Sequence, residues 1–335
     1  MDKEMLPKES TVEVEDKLVA CDFCGNNDFT FLYSSYDYLS FSPLTFKVMR
    51  CNRCDLVSLN PRPENIADYY DKYRKGYSKK DIFEFLVPNR IMKIKKYKKG
   101  GRILDVGCGQ GGFLNTMLKD GWEIYGVELS KDACDFARET YGLKEINNCD
   151  LLSLEFPDNF FDVITLWHVL EHLGKPQDTL KMIYKILKED GLLIIESPNF
   201  YSIQSRLFKD KWFNLDLPRH LYQFSPKILK KYLKETNFNI IKRDYIVNPR
   251  INFVSFKMSL LRWLGIQRAP KIEENNKLNT DANFRRDKIV WRLFRFSFNI
   301  FCLLISLFLN LLNYDDSFRV YCKKKEKDFR EIKEE

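Results

Sequence analysis

The run from Arg102 to Gly121, RILDVGCGQGGFLNTMLKDG, constrains the fold more than any other stretch of the chain. Arg102 to Val106 reads as a short apolar strand, a glycine turn follows, and an amphipathic helix opens at Gly111 to Phe113. Gly107, Gly109 and Gly111 let the backbone pass close beneath a ligand, because side chains there would collide with it. The alternation continues downstream. A second strand, EIYGVEL, ends at Glu128 and the helix KDACDFARETYG follows; a third strand lies near KEINNCD and ends at Asp150. FFDVITLW is a fourth strand, PQDTLKMIYKILKED a helix, GLLIIESPN a fifth strand, SPKILKKYLKETN a helix, FNIIKRDYIV a sixth strand and SFRVYCKK a seventh. Short apolar runs separated by helical periods specify an α/β fold with a doubly wound, Rossmann-like parallel sheet.

Glu128 stands twenty-one residues after Gly107, where an acid can take both ribose hydroxyls of a nucleoside. Gly107, Gly109 and Gly112 also satisfy the G-x-G-x-x-G dinucleotide fingerprint, so an NAD-linked oxidoreductase competes. Asp105, at the carboxyl end of the first strand, discriminates between the two. A carboxylate beside a pyrophosphate is repelled, whereas beside the ammonium and carboxylate of a methionine moiety it gains a partner. S-adenosyl-L-methionine therefore fits better than NAD.

The chain has three histidines, and the segment His168-Val169-Leu170-Glu171-His172 spells H-x-x-E-H, a zinc-protease signature. That chemistry requires both histidines one turn apart on a helix. His168 instead follows directly on the β-type run ending at Trp167, which puts it at the carboxyl end of the fourth strand, where open sheets bind ligands. The protease reading is set aside.

Nine cysteines, an odd number, argue against a disulfide framework. Cys21, Cys24, Cys51 and Cys54 form two C-x-x-C pairs, and four thiolates complete the tetrahedral shell of a structural zinc ion, Zn2+. FTFLYSSYDYLSF and TFKVMR between them alternate and are rich in aromatic and β-branched residues, so a hairpin joins the pairs. The competing reading is four buried or redox cysteines.

In these residues the chain resembles class I S-adenosylmethionine-dependent methyltransferases, in the branch with an N-terminal zinc-binding segment that serves bacterial sugar and surface-polysaccharide modification. The matching pieces are the two C-x-x-C pairs with LVSLNPRP and YYDKYRKGY beyond them, then LDVGCGQGGFL, GVELS, DVITLWHVLEHLGKP, ESPN and WFNLDLPRHLYQFSP. The resemblance implies the sheet order 3-2-1-4-5-7-6 with the seventh strand antiparallel, and a cofactor held by Asp105, Gly107, Gly109, Glu128 and Asp150. It implies methyl transfer, with a sugar or glycan precursor hydroxyl on a small-molecule or lipid-linked acceptor as the favoured target. For such an acceptor a base titrating near neutrality helps, so His172 or His220 is the candidate catalytic base, with His168 and Trp167 shaping the methionine side of the pocket. Tyr69, Tyr70 and Tyr73 either close over the site or pack in the core.

Two other readings stand beside this one: a quinone or lipid O-methyltransferase, and an RNA methyltransferase that uses the zinc ribbon for recognition. The basic run Ile91 to Arg102, six Lys/Arg and no acid, supports the latter. No interleaved aromatic platform accompanies it, which argues against nucleic acid and for a solvated helix face.

The expected division is a zinc-binding module at 1–62, the methyltransferase domain at 63–250, a hydrophobic helical-hairpin insertion at 251–313, the last strand at 314–325 and a charged tail at 326–335. Seventeen residues from Phe296 to Leu312 carry no charge, short of the roughly 20 that a membrane span needs. Because SFRVYCKK must return to the sheet, the expectation is a hairpin lying on one leaflet, with Arg285, Arg286, Lys288, Arg292 and Arg295 at anionic headgroups, or else a homodimer contact. The charged N-terminal segment MDKEMLPKESTVEVEDK is unlike a signal peptide, so the expected location is the cytoplasm, including the inner face of the cell membrane.

Overall fold

The computed structural model describes residues 18–39, 44–63, 86–246, 249–265 and 315–325, with positions 66, 69, 70, 296, 297, 300, 304 and 308. The chain forms two compact units, Met1–Tyr77 with Pro198–Phe224 and Tyr245–Ser317, and Ser78–Ser197 with Ser225–Asp244 and Phe318–Glu335. This interleaving differs from the linear division expected: residues 198–224 fold with the cysteine-bearing segment and not with the glycine turn.

The second unit contains a seven-stranded sheet. Its strands are β4 (Arg102–Val106), β5 (Glu123–Val127), β6 (Ile146–Asn147), β7 (Phe161–Trp167), β8 (Leu187–Pro198), β10 (Phe238–Tyr245) and β11 (Ser317–Lys324), in the order β10-β11-β8-β7-β4-β5-β6. Renumbered from β4, this is the order the resemblance implied. β4 pairs in parallel with β5 and β7, β5 with β6, and β7 with β8. Ile246 N donates to Ser317 O and Lys325 N to Asn237 O, so each end of β11 lies beside the opposite end of β10 and the two run antiparallel.

Helices α1 (Val87–Lys95), α2 (Gly112–Lys119), α3 (Lys131–Tyr141), α4 (Pro176–Ile186) and α6 (Pro226–Glu235) cover the sheet. Their starts follow from local chemistry. The Ser130 and Ser225 hydroxyls accept from Ala133 N and Ile228 N, satisfying donors that an uncapped helix leaves open. α4 stops earlier than its periodicity predicts, because Leu187 already pairs with Phe161 across the sheet. One core cluster gathers Ile103, Val163, Leu192 and Ile194 from the same face of the sheet with Phe113, Leu114, Met117 and Tyr321. The basic run is a salt-bridged surface: Lys93, Lys95, Lys98 and Arg102 pair with Asp244, Asp120, Asp190 and Glu123 of the same unit.

A buried charge cluster joins the strand ends. Glu196, with no exposure, accepts from Arg319 Nε and Nη2 at 2.8 and 2.6 Å and from Arg90 Nη2 at 3.2 Å. His168 Nε2 lies 3.2 Å from the same carboxylate and its Nδ1 lies 3.5 Å from Glu171, whose other oxygen accepts from the Ser197 hydroxyl. The Trp167 ring is covered by the guanidinium groups of Arg90 and Arg319 at 4.5 and 5.1 Å. His168 has φ +58°, a left-handed conformation that a residue with a Cβ adopts at a cost of about 1–2 kcal/mol. Its backbone N–H bond to Glu196 O and its two side-chain contacts hold it there. Burial alone would lower its pKa, but the bonds to Glu171 and Glu196 outweigh this and raise it from 6.5 to about 9. Arg319, Arg90 and His168 likewise overcome burial to keep the Glu196 carboxyl well below the usual range.

The first unit contains a four-stranded sheet, β1 (Phe29–Tyr36), β2 (Thr45–Cys51), β3 (Val57–Leu59) and β9 (Tyr222–Gln223), paired antiparallel in that order. The expected hairpin is β1 with β2, and a bulge between Phe31 and Tyr33 shifts its register. The short α5 (Ile203–Phe208) and the longer α7 (Pro249–Trp263) complete the described part. α7 buries a polar row, Asn252, Ser255, Ser259 and Arg262, while Val254 and Trp263 face out. The reason is Asp315 and Asp316, which precede β11 and are buried. Asp316 accepts from Ser202, Trp212, Asn214 and Ser255, and Asp315 accepts from Asn252. Two adjacent buried carboxylates require donors, and α7 supplies them from the face that an apolar core would fill with leucine.

The apolar run 296–312 lies largely outside the described residues. Positions 296, 297, 300, 304 and 308 are helical, and Phe296, Ile300, Leu304 and Phe308 are exposed. Among the described residues no helix is long and apolar enough to cross a membrane.

The charge cluster has two measurable consequences. The folded chain binds the His168 proton more tightly than the unfolded chain does. Its contribution to stability is therefore complete below about pH 6.5 and is lost as pH rises through about 9. Urea unfolding between pH 6 and pH 9.5 should show a fall in wild-type stability that is missing from His168→Gln. Glu196→Ala leaves two arginines and the imidazolium without their common anion, and should cost about 3–5 kcal/mol in the same assay.

Candidate functional site

The glycine turn after β4 builds the first candidate site, within the second unit. Asp105, 3% exposed, lies opposite Thr165 in the β4–β7 register, and the Thr165 hydroxyl donates to its Oδ1 at 2.6 Å. Parallel pairing thus fixes a carboxylate at the carboxyl edge of the sheet, and a neighbouring strand orients it. Thr165 carries no signal in the sequence; only the register reveals it.

Gly107, Gly109 and Gly111 all have positive φ, at +71°, +54° and +78°, but for different reasons. A Cβ on Gly107 would come within 2.5 Å of Val169, and one on Gly111 within 2.8 Å of Leu143, so these two glycines serve the packing of the loop and of α2 on α3. A Cβ on Gly109 would meet nothing within 4 Å. Only Gly109, of the three, fits the expectation of a backbone kept bare for a ligand. Gly109 N donates to Glu128 Oε2 at 3.1 Å and Ser130 N to Glu128 Oε1 at 2.7 Å. Two backbone donors therefore fix the Glu128 carboxylate beside the open side of the turn, with one lone pair on each oxygen still available to hydroxyl donors.

Asp150 caps the one-turn 3-10 helix Leu151–Ser153, its Oδ1 accepting from Leu152 N at 2.8 Å. Trp167 and His168 end β7 in the charge cluster described above, and the Trp167 indole N–H is buried without a hydrogen-bond partner among the described residues. His168 is held as an imidazolium between two carboxylates, which makes it a fixed positive charge and not a base. His172 ends the one-turn 3-10 helix Leu170–His172 and is half-buried. With His168 at a strand end, the H-x-x-E-H residues do not share a helical face, and the protease geometry is absent. Glu196, Arg319 and Arg90 complete this edge, and sequence reasoning missed all three because their partners are 106 and 123 residues apart.

The first unit carries the other candidates. The four cysteines converge: Cys21 Sγ lies 3.5 Å from Cys54 Sγ, Cys24 Sγ lies 3.5 Å from Cys51 Sγ, and all four sulfurs fall within 4.8 Å of one another. The two turns repeat one geometry. Cys21 N bonds to Asn26 O and Gly25 N to Cys21 O; Cys51 N bonds to Leu56 O and Asp55 N to Cys51 O. Gly25 and Asp55 both have φ +69°. Four thiolates around a tetrahedral ion with metal–sulfur bonds of about 2.3 Å sit about 3.8 Å apart, close to the spacing observed.

His220, 7% exposed, has Nδ1 at 2.8 Å from Asn214 O. A carbonyl only accepts, so Nδ1 carries a proton, and Nε2 lies 3.9 Å from Asp216 Oδ2. Asp216 is itself held by Arg219, whose other edge makes a two-bond pair with the buried Asp37 at 2.9 and 3.2 Å. Tyr69 and Tyr70 are spent on packing and backbone bonding: Tyr69 meets the Phe46 ring edge-on and the Tyr70 hydroxyl donates to Arg219 O. Tyr73 lies outside the described residues.

Comparison with known proteins places this geometry. A family model described as a methyltransferase domain matches residues 70–243, just over half of the chain. The chain is 36% identical over 124 residues to an uncharacterized methyltransferase of Schizosaccharomyces pombe, covering 32% of this chain and 44% of that protein. It is 29% identical over 133 residues to a ubiquinone biosynthesis O-methyltransferase of Coxiella burnetii, covering 38% and 54%. The chain thus spans about half the length of these curated relatives. Among solved structures, a SAM-dependent methyltransferase from Archaeoglobus fulgidus is 22% identical with a TM-score of 0.46, covering 77% of this chain and all of that one. An S-adenosylmethionine-dependent methyltransferase from Clostridium acetobutylicum is 15% identical with a TM-score of 0.43, covering 78% and 98%. With the family model covering the β4 turn, Glu128 and the β7 edge, the chain belongs to the methyltransferase-domain family.

Proposed function

We propose that the protein transfers a methyl group from S-adenosylmethionine to a hydroxyl of a small-molecule or lipid-linked sugar acceptor. The observation that carries the cofactor part is Glu128, fixed by Gly109 N and Ser130 N beside a turn whose Gly109 faces open space. Glu128 would take the ribose hydroxyls, and Asp105, oriented by Thr165, the methionine ammonium. Asp150 and Trp167 would border the adenine and methionine ends, and the His168 imidazolium would hold the β7 loop in place. The cofactor supplies an electrophilic methyl on a sulfonium. What remains for the protein is alignment and removal of the acceptor proton.

Of the two candidate bases we favour His220, because the Asn214 carbonyl fixes its tautomer and Asp216 stands ready to stabilise the imidazolium that forms. The quinone-type reading of the acceptor has one support, the name of the Coxiella relative. The RNA reading loses ground, because the basic run is paired with acids of its own unit. The four cysteines would hold one structural zinc, with no position open for catalysis.

Three measurements test this reading. Calorimetry should show S-adenosylhomocysteine binding to the purified chain, and Glu128→Ala should weaken it at least about 100-fold through two lost charged hydrogen bonds. Equal affinity in the variant would remove Glu128 from the site. His220→Ala should leave that affinity intact and slow turnover by about 10²- to 10⁴-fold; if His172→Ala does so instead, the base is His172. Metal analysis should find one zinc per chain, and Cys51→Ser should lose it and lower the melting temperature. A fully folded, metal-free wild type would rule out the zinc site.

A further inference from the structure

The polarity of α7 is reversed for a helix on a protein surface. Its buried row, Asn252, Ser255, Ser259 and Arg262, recurs at helical intervals along one face. Val254, Lys257, Leu261 and Leu264 recur at the same intervals, each two residues further on, and therefore occupy the opposite face. Val254, Lys257 and Leu264 are exposed, Leu261 is half-buried, and Trp263 at the helix end is 62% exposed. Asp315 and Asp316 account for the polar groups turned inward. They do not account for the apolar groups turned outward, where a surface helix ordinarily carries polar and charged residues.

α5 repeats the reversal. It packs on α7 through polar contacts, with Gln204 Nε2 donating to Asn252 O and the Ser255 hydroxyl to Gln204 Oε1, and through the Phe208 and Phe256 rings, 5.4 Å apart. Ser202, Gln204 and Ser205 are buried, whereas Ile203 and Leu207, one turn apart, are exposed, Leu207 at 60%. A third stripe in the same unit is Phe296, Ile300, Leu304 and Phe308, all exposed at helical positions four residues apart.

The charges beside these stripes have one sign. Arg206 and Lys209 are exposed on and just after α5, as Lys257 is on α7. From Tyr245 to Ile272 the sequence holds five Lys/Arg and no acid, and from Lys288 to Tyr314 three Lys/Arg and no acid. Apolar helix faces bordered by cations match the surface of an anionic bilayer: leucine, isoleucine and phenylalanine enter the acyl boundary, tryptophan sits at the interface, and Lys and Arg reach the headgroups. A second copy of the chain would instead set cation against cation. Because the other faces of α5 and α7 are bonded to the protein, the helices lie on one leaflet and do not cross it.

We propose that α5, α7 and the 296–308 stripe form a docking surface for an anionic lipid leaflet. The surface belongs to one unit of the fold and stands independently of the methyl-transfer reading.

The test is flotation of the full chain with phosphatidylcholine vesicles, with and without phosphatidylglycerol. The chain should float with the anionic vesicles and bind them at least about tenfold more tightly than the neutral ones, a preference that falls as salt is raised. Trp263→Ser combined with Leu264→Ser should weaken the binding at least about tenfold, and Lys257→Gln several-fold. Leu118→Ser, which removes an exposed apolar residue of α2 in the second unit, should leave it unchanged. Circular dichroism establishes that each variant is folded, and if the Trp263/Leu264 variant is not, Ile203→Ser combined with Leu207→Ser decides. A wild type that stays at the bottom of the gradient overturns the proposal, as does equal binding to neutral vesicles or undiminished binding in the deciding variant. A wild-type dimer that ignores vesicles and dissociates in that variant overturns it in favour of a second copy of the chain.

Discussion

The described part of the second unit depends on one buried carboxylate. Glu196 has no exposure and sits where β8 meets β7 and β11, so without compensation its charge would cost several kilocalories per mole. Arg319 from β11, Arg90 from α1 and His168 from the end of β7 supply that compensation, and each thereby ties its element to β8. Such clusters contribute little net stability over a well-packed apolar core, but they tolerate few alternatives. Here the geometry they select holds the β7 end, with its left-handed histidine, next to the strand that presents Asp105.

The same residues show how much could be read from the sequence. The strands were legible because most are short apolar runs separated by helical periods, and the glycine turn marks the first; their order in the sheet was what the resemblance implied. Asp105 and Glu128 were legible because their positions relative to that turn are local facts. Glu196 was not, although ESPN was recognised as a motif, because its meaning lies in Arg90 and Arg319, far away in the chain. Three glycines looked alike in sequence, and in the structure two of them answer to neighbouring side chains. The third strand was placed near Asp150 but is two residues long, with Asp150 spent on capping the turn beyond it.

The first unit was harder to read for a definite physical reason. Hydrophobic patterning assumes that the buried face of a helix is apolar, and α7 reverses this because Asp315 and Asp316 require donors. A sequence scan sees FVSFKMSLLRWLG as an apolar helix with incidental serines, yet its serines and its arginine are the buried face. The cysteine pairs were legible for the opposite reason. Their chemistry is carried by spacing within each turn, and both turns adopt the same backbone geometry.

The central claim is that the edge formed by Asp105, the glycine turn and Glu128 serves methyl transfer. The most direct measurement supplies the purified chain with S-adenosylmethionine carrying a radiolabelled methyl group, and offers nucleotide-sugars and membrane extracts in parallel. The account predicts label in one fraction, dependent on the wild-type chain and lost in Glu128→Ala. The absence of label from both fractions, in a preparation that binds NAD and not S-adenosylmethionine, would contradict it.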